Sequence, residues 1–310
     1  MELRAWTYDE LPAFDEEVEG ATWLNTTGTE MGARYVPNVE YQNVGGVPRV
    51  LQILIPNSRR FPAPKPGREA STTYPCIVYV QGSAWMTQDV YENLPCVARL
   101  AALGYVVAIV QYRESGVGVF PDQVRDARNA IRYMRVHAHE YAVDPTRMSV
   151  MGDSSGGHTA AYAGILHDDQ TEHNLFDGVS AEVSCIVNYY GSTDLTFEDA
   201  NPSTPNHNEP TSPEGMVMGG IDLNSDRAAR EKLTVKCNID EKTSIAPMLI
   251  VHGTKDRIVN TKCSVRLYEQ LRATGHECEL YLLRGADHGG PAFWTPEVLG
   301  VVDEFVRRHL

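Results

Sequence analysis

The chain has 310 residues, 42% of them hydrophobic and 22% charged, which is the balance of a globular protein and too apolar for a disordered one. Its formal net charge is −14, and the basic residues are dispersed, densest at Arg59-Arg60 and Arg307-Arg308. That distribution argues against a nucleic-acid partner and favours a neutral or masked substrate over a free polyacid.

Met1 to Glu10 lacks the basic-then-apolar pattern of a targeting signal, and no apolar run approaches the roughly 20 residues that span a bilayer. A soluble, cytoplasmic protein without membrane contact is expected, with the reservation that a signal peptide removed beforehand leaves no trace. The six cysteines are scattered, several within apolar runs, and form no Cys-x-x-Cys or Cys/His cluster. Reduced thiols, no metal and no cofactor are the expectation. Homo-oligomerisation is left open.

Residues 1–46 read as an N-terminal extension. From Val47 onward, short β-branched runs alternate with longer helical patterns, the signature of a largely parallel sheet joined by crossover helices in one domain of 310 residues. In chain order, a strand is predicted over Arg49 to Ile55, then an exposed loop over Phe61 to Thr73, which is rich in Pro, Lys, Arg and Gly. Strands follow over Cys76 to Val80 and Tyr105 to Val110. Val124, Ala127, Ile131 and Met134 recur at helical spacing, predicting an amphipathic helix over Asp122 to His139. Asp144-Pro145-Thr146 turns the chain into a strand over Met148 to Met151.

Another strand spans Val183 to Tyr189. The stretch Thr196 to Gly220, with Pro202, Pro205, Pro210 and Pro213, reads as a small lid occupying about 196–225. The strand Met248 to Val251, a helix over Thr261 to Ala273 with Gly275 past its end, the strand Glu279 to Leu283 and a helix over Glu297 to His309 complete the pattern.

The motif Gly152-Asp153-Ser154-Ser155-Gly156 lies between a strand and a helix rich in small residues. A serine at such a turn needs a tight backbone, so two glycines flank it, and the helix behind it offers amide donors. Ser154 is therefore the candidate nucleophile. The bland alternative is a structural Gly-rich strand-to-helix turn, of the kind that can also cradle a phosphate. A hydroxyl needs a base, and the base needs a group to fix its tautomer. Asp256 follows the strand Met248 to Val251, and His288 follows the strand Glu279 to Leu283, in the order Ser, Asp, His. Of the other histidines, His158 and His252 read as structural. Asp287 sits beside the base and cannot easily reach its far nitrogen.

After the strand Cys76 to Val80 comes Gln81-Gly82-Ser83-Ala84-Trp85. The backbone amides of Gly82 and Ser83, with that of Ser155, are the expected oxyanion donors. Trp85 and Trp294 are the expected substrate surfaces, with burial in the core as the alternative.

These motifs, together with Gln111-Tyr112-Arg113, Phe120-Pro121 and Asp126-Ala127, resemble the hormone-sensitive-lipase-like branch of the α/β-hydrolases. The closing segment His288-Gly289-Gly290-Pro291-Ala292-Phe293-Trp294 is similar to that of the bifunctional carbohydrate acetyl esterase and feruloyl esterase group. The resemblance covers about Val47 to Leu310. It implies an α/β-hydrolase fold with a mostly parallel central sheet flanked by helices, and a serine esterase acting on acetylated or feruloylated plant cell-wall sugars. Gln81, Ser83 and Ala84 depart from the commoner His-Gly-Gly. The rival expectations are an amide hydrolase of the kynurenine-formamidase kind, a small peptidase, and a binding protein that kept the fold without the activity.

Overall fold

The computed structural model describes residues 4–65, 70, 72–165, 175–196 and 203–310. Its elements run β1 (Gly32–Val44), β2 (Val47–Asn57), β3 (Tyr74–Val80), α1 (Leu94–Ala102), β4 (Val106–Val110), α2 (Asp122–Val136), β5 (Val143–Asp153), α3 (Ser155–Ile165) and β6 (Ile186–Tyr189). They continue with α4 (Pro213–Val217), α5 (Arg227–Leu233), β7 (Met248–Gly253), α6 (Lys262–Ala273), β8 (Cys278–Leu283) and α7 (Pro296–His309).

The eight strands form one sheet in the order β1-β2-β4-β3-β5-β6-β7-β8. β2 runs antiparallel to both β1 and β4, and every pairing from β4 to β8 is parallel. From β3 the chain steps to one side to make β4, then returns to the other side of β3 to make β5. The loops leaving β3 and β5 therefore part company above the C-terminal edge of the sheet, the position at which open α/β sheets bind their ligands.

Successive residues of the parallel strands face opposite ways, and in β3, β4, β6, β7 and the second half of β5 both ways are buried. Val78, Val80, Val150 and Ile250 pack with Val124, Ala127 and Ile131 of α2, Ala160 and Ala161 of α3, and Leu267 and Leu271 of α6. Ile77, Tyr79, Met151 and Val251 pack on the other face with Val97 and Leu100 of α1 and Val302 and Phe305 of α7. Burial on two faces is why these strands read as unbroken apolar runs. The ends of α7 illustrate the local rules. Thr295 caps the amide of Val298, Pro296 takes the first helical position, and Glu297 and Arg307-Arg308 lie at the ends of the dipole that favour them.

All seven predicted strands are present, several of them longer than expected. The helix expected to reach His139 ends at Val136, and helices α1, α4 and α5 were not anticipated. β1 is a further strand that falls inside the expected N-terminal extension. Its alternation is broken by register shifts after Val36 and Glu40, and most of it is exposed, so no apolar pattern marks it. Its turn did leave a signal. Gly45 and Gly46 both have positive φ, of 61° and 83°, as a two-residue hairpin requires.

Residues 66–69 and 71 of the expected basic loop, and 197–202 of the expected Pro-rich lid, lie outside the described residues. The remainder of the Pro-rich stretch is tied down on two sides. Thr204 N donates to Arg257 O at 2.7 Å, and Phe120 N donates to Val217 O at 2.8 Å. All six cysteines are free. No helix among the described residues is long and apolar enough to cross a membrane.

Candidate active site

Ser154 stands between the end of β5 and the start of α3 with φ of +53°, a left-handed conformation that costs a non-glycine residue free energy. Packing holds it there. A Cβ added at Gly152 would lie 2.2 Å from Gly156 O, and one at Gly156 would lie 2.0 Å from Val80 O. The elbow is thus pressed against itself and against the end of β3, so neither glycine can carry a side chain. Ser154 N donates to Tyr189 O at 3.0 Å, and His158 N donates to Ser154 O at 3.1 Å to begin the helix.

His288, from the loop after β8, has Nε2 2.8 Å from Ser154 Oγ and Nδ1 2.7 Å from Asp256 Oδ2. Asp256, from the loop after β7, accepts at Oδ1 from the amides of Ile258 at 2.9 Å and Val259 at 2.8 Å. Its Oδ2 also meets His252 Nε2 at 3.1 Å. Burial alone would raise the Asp256 pKa. The hydrogen bonds from His252 and His288 outweigh it and hold the carboxyl well below the usual carboxylate range. The hydroxyl, imidazole and carboxylate form one unbroken hydrogen-bonded chain, the arrangement that lets a hydroxyl shed its proton as it attacks a carbonyl. Asp287 takes no part. It pairs with Arg257 at 2.6 Å and receives the backbone amide of His288.

Asp153, beside the serine, was not singled out in the sequence. It is buried, and its Oδ1 accepts from Tyr79 OH at 2.6 Å and Gly82 N at 2.9 Å. Burial raises its pKa, while those hydrogen bonds oppose the rise. The carboxylate thereby ties the loop after β3 to the elbow. Tyr190, whose hydroxyl is 3.4 Å from Asp153 Oδ2, lays its ring edge-on to His288 with centroids 4.8 Å apart.

The expected oxyanion donors need correction. The amide of Gly82 is spent on Asp153, and that of Ser83 donates to Ser155 Oγ at 3.0 Å. The amides of Ala84 and Ser155 make no hydrogen bond among the described residues, which leaves both able to donate. Ala84 has φ of +55°, which turns the loop. The departures at Gln81 and Ser83 have a use. Ser83 Oγ donates to Met86 O at 2.8 Å and lies 3.0 Å from Tyr112 OH, while Gln81 Nε2 donates to Asp89 O. A side-chain network braces this loop from behind.

Residues 65–271 match the family model described as BD-FAE. The chain belongs to the BD-FAE family. The matched range holds Ser154 and Asp256 and stops short of His288. Among curated relatives, esterase LipC of Mycobacterium tuberculosis is 28% identical over 232 residues, 69% of this chain and 53% of that protein. A probable isoprenylcysteine alpha-carbonyl methylesterase of Arabidopsis thaliana, ICMEL1, is 29% identical over 237 residues, 74% of this chain and 48% of that protein. The chain spans about half the length of these two curated relatives. Among solved structures, a truncated carbohydrate esterase from gut microbiota superposes with a TM-score of 0.75 at 23% identity, over 92% of this chain and 98% of that one. The esterase Est2 of the Planctomycetes species Thermogutta terrifontis gives 0.67 at 25% identity, over 89% and 92%. The fold is that of the α/β-hydrolases.

Within this BD-FAE chain the two aromatic side chains expected as substrate surfaces are instead core. Trp85 is 1% exposed and stands edge-on to His158 with centroids 5.1 Å apart. Trp294 is 4% exposed and wedged between Tyr79 at 6.0 Å and Tyr189 at 5.8 Å. Neither offers a face to a ligand, because an apolar ring next to a buried sheet edge gains more from packing than from water. His158 is buried in the same aromatic group, and its pKa is pushed down to about 4 by that burial.

Proposed function

We propose that this member of the BD-FAE family is a carboxylic ester hydrolase working through an acyl-enzyme on Ser154, with acetyl or feruloyl esters of plant cell-wall carbohydrates as substrates. The observation that carries the reading is the continuous chain Ser154 Oγ, His288, Asp256 at the C-terminal edge of the sheet, at 2.8 and 2.7 Å. In the first stage His288 Nε2 takes the proton from Ser154 Oγ as that oxygen bonds to the ester carbonyl carbon. The carbonyl oxygen becomes an alkoxide facing the amides of Ala84 and Ser155, and each such donor is worth roughly 3 to 4 kcal/mol of barrier. His288 then hands its proton to the departing alcohol as the ester bond breaks. Water repeats both steps on the acyl-enzyme and restores Ser154. Asp256 keeps the Nδ1 proton in place and offsets the imidazolium charge throughout.

The named activities of the curated relatives support ester cleavage, and the structural likeness to a carbohydrate esterase supports a sugar ester. We assign the segment 196–225 the part of a lid over the site, a reading supported by Thr204, which binds the loop after β7, and Val217, which binds the loop after β4.

The test is a parallel assay of the protein and Ser154→Ala on p-nitrophenyl acetate, acetylated xylan oligosaccharides, methyl ferulate and N-formylkynurenine. Turnover of the sugar acetate or ferulate is expected, falling by several orders of magnitude in the variant while the melting curve holds. Turnover of the formamide alone would make the protein an amide hydrolase, and none on any substrate would make it a binding protein.

A further inference from the structure

We propose that His252 is a second histidine on the carboxylate of Asp256, a positioning residue that sets the acidity of His288 through that shared oxygen. The proposal rests on the reading of Ser154, His288 and Asp256 as the reacting chain. His252 is the penultimate residue of β7, is fully buried, and is held on both ring nitrogens. Its Nε2 meets two oxygens, Asp256 Oδ2 at 3.1 Å and Val259 O at 3.0 Å. Its Nδ1 lies 2.7 Å from Ser264 Oγ on α6. A carboxylate and a carbonyl only accept, so the proton belongs on Nε2. Ser264, whose hydroxyl can donate, suits the bare Nδ1. A neutral ring in that tautomer satisfies every contact, and Ser264 is what selects it.

The consequence falls on Asp256. Its Oδ1 is already engaged by two backbone amides, so Oδ2 alone serves His288, and it does so while accepting from His252. A carboxylate oxygen that takes a second donor is less basic and stabilises the neighbouring imidazolium less. His252 thus holds His288 in the neutral, proton-accepting form to lower pH than Asp256 alone would allow. The groups facing His252 are these three, Asp256, Val259 O and Ser264, together with the ring of Tyr190 at the end of β6, 6.5 Å away between centroids. Next beyond them lie His288 on Asp256, Asp153 on Tyr190, and the pair His207 and Glu214, which reaches this loop through Ile258 O.

The experiment has two arms. In the first, the acid limb of kcat/KM against pH is measured for the wild type, His252→Leu, His252→Gln and Ser264→Ala. His252→Leu is expected to move the limb upward by about one pH unit, a roughly tenfold loss on that limb. Glutamine, whose terminal NH₂ reaches where Nε2 stands, should restore most of the wild-type position, and Ser264→Ala should move the limb the same way by less. In the second arm, nitrogen-15-labelled histidine is followed by NMR in the Ser154→Ala background, where the Nε2-protonated tautomer of His252 is expected across pH 6 to 8.

A limb that stays within about 0.2 unit or moves down, or a His252 protonated on Nδ1, overturns the proposal. Should His252→Leu fail to fold, Ser264→Ala decides, since it removes one hydroxyl. Serine-independent turnover would instead overturn the reading of Ser154, and the NMR arm needs no turnover, so the two failures are told apart.

Discussion

Replacing Gly156 with alanine tests whether the elbow is held by contact rather than by sequence convention. The added Cβ would stand 2.0 Å from the carbonyl oxygen of Val80, 2.7 Å from its carbon and 2.8 Å from the carbonyl carbon of Gln81. Close C···O contacts begin at about 3.3 Å, so the backbone must open by a little over about 1 Å. β3 cannot yield, because it is paired on both sides in the middle of the sheet. The start of α3 must retreat instead, and it carries Ser154 with it. A shift of that size lengthens the 2.8 Å contact between Ser154 Oγ and His288 Nε2 beyond hydrogen-bonding distance.

Overpacking of this kind costs about 1 to 3 kcal/mol, and a misplacement of about 1 Å costs on the order of 10²-fold in rate. The assay is kcat/KM on p-nitrophenyl acetate beside calorimetric melting, with Gly300→Ala as the control. Gly300 lies in α7, where a new Cβ meets nothing within 4 Å, so its alanine should gain about 0.5 to 1 kcal/mol of stability at unchanged turnover. If Gly156→Ala melts with the wild type and keeps kcat/KM within about threefold, the argument from close approach is wrong.

Two further outcomes are expected. Trp294→Ala should lose about 3 to 5 kcal/mol by emptying the space between Tyr79 and Tyr189, with KM unchanged for the fraction that stays folded; a raised KM at full stability would return Trp294 to the substrate surface. His207 places Nδ1 2.8 Å from Glu214 Oε1 and Nε2 2.9 Å from Ile258 O. Burial lowers its pKa, but Glu214 more than offsets this and the net shift is upward. A group raised in the folded state stabilises fully below its unfolded value of about 6.5 and loses that contribution as pH rises through the folded value. The melting-temperature gap between wild type and His207→Gln should therefore be wide at pH 5.5 and narrow at pH 9. A gap that widens with pH would refute the charged pair.

The order Ser154, Asp256, His288 and the two elbow glycines were legible because each depends on a few neighbouring residues: a strand that ends, a turn that must be tight, a helix that begins. Most of the predicted strands were legible for a related reason, since burial on two faces leaves an apolar run, whereas β8, half exposed at the sheet edge, showed through Leu280-Tyr281-Leu282-Leu283. β1 carried no such run and was missed, although Gly45-Gly46 marked its turn.

What the tertiary structure decided are contacts between residues far apart in the chain. The register that pairs Val80 with Gly152 brings Gly82 beside Asp153, and this takes the Gly82 amide away from the oxyanion position that spacing alone suggested. The pairing of β7 with β6 and β8 sets His252 between α6 and the loop of Asp256, which converts a histidine read as structural into a partner of the carboxylate. Trp85 and Trp294 were read as surfaces because an aromatic side chain near a site has the same letter whether it faces a ligand or a core. Local sequence dictates where the chain turns and which residue types stand at the turn. Which amide is left unpaired, and which ring is buried, depends on what the sheet brings alongside from dozens of residues away.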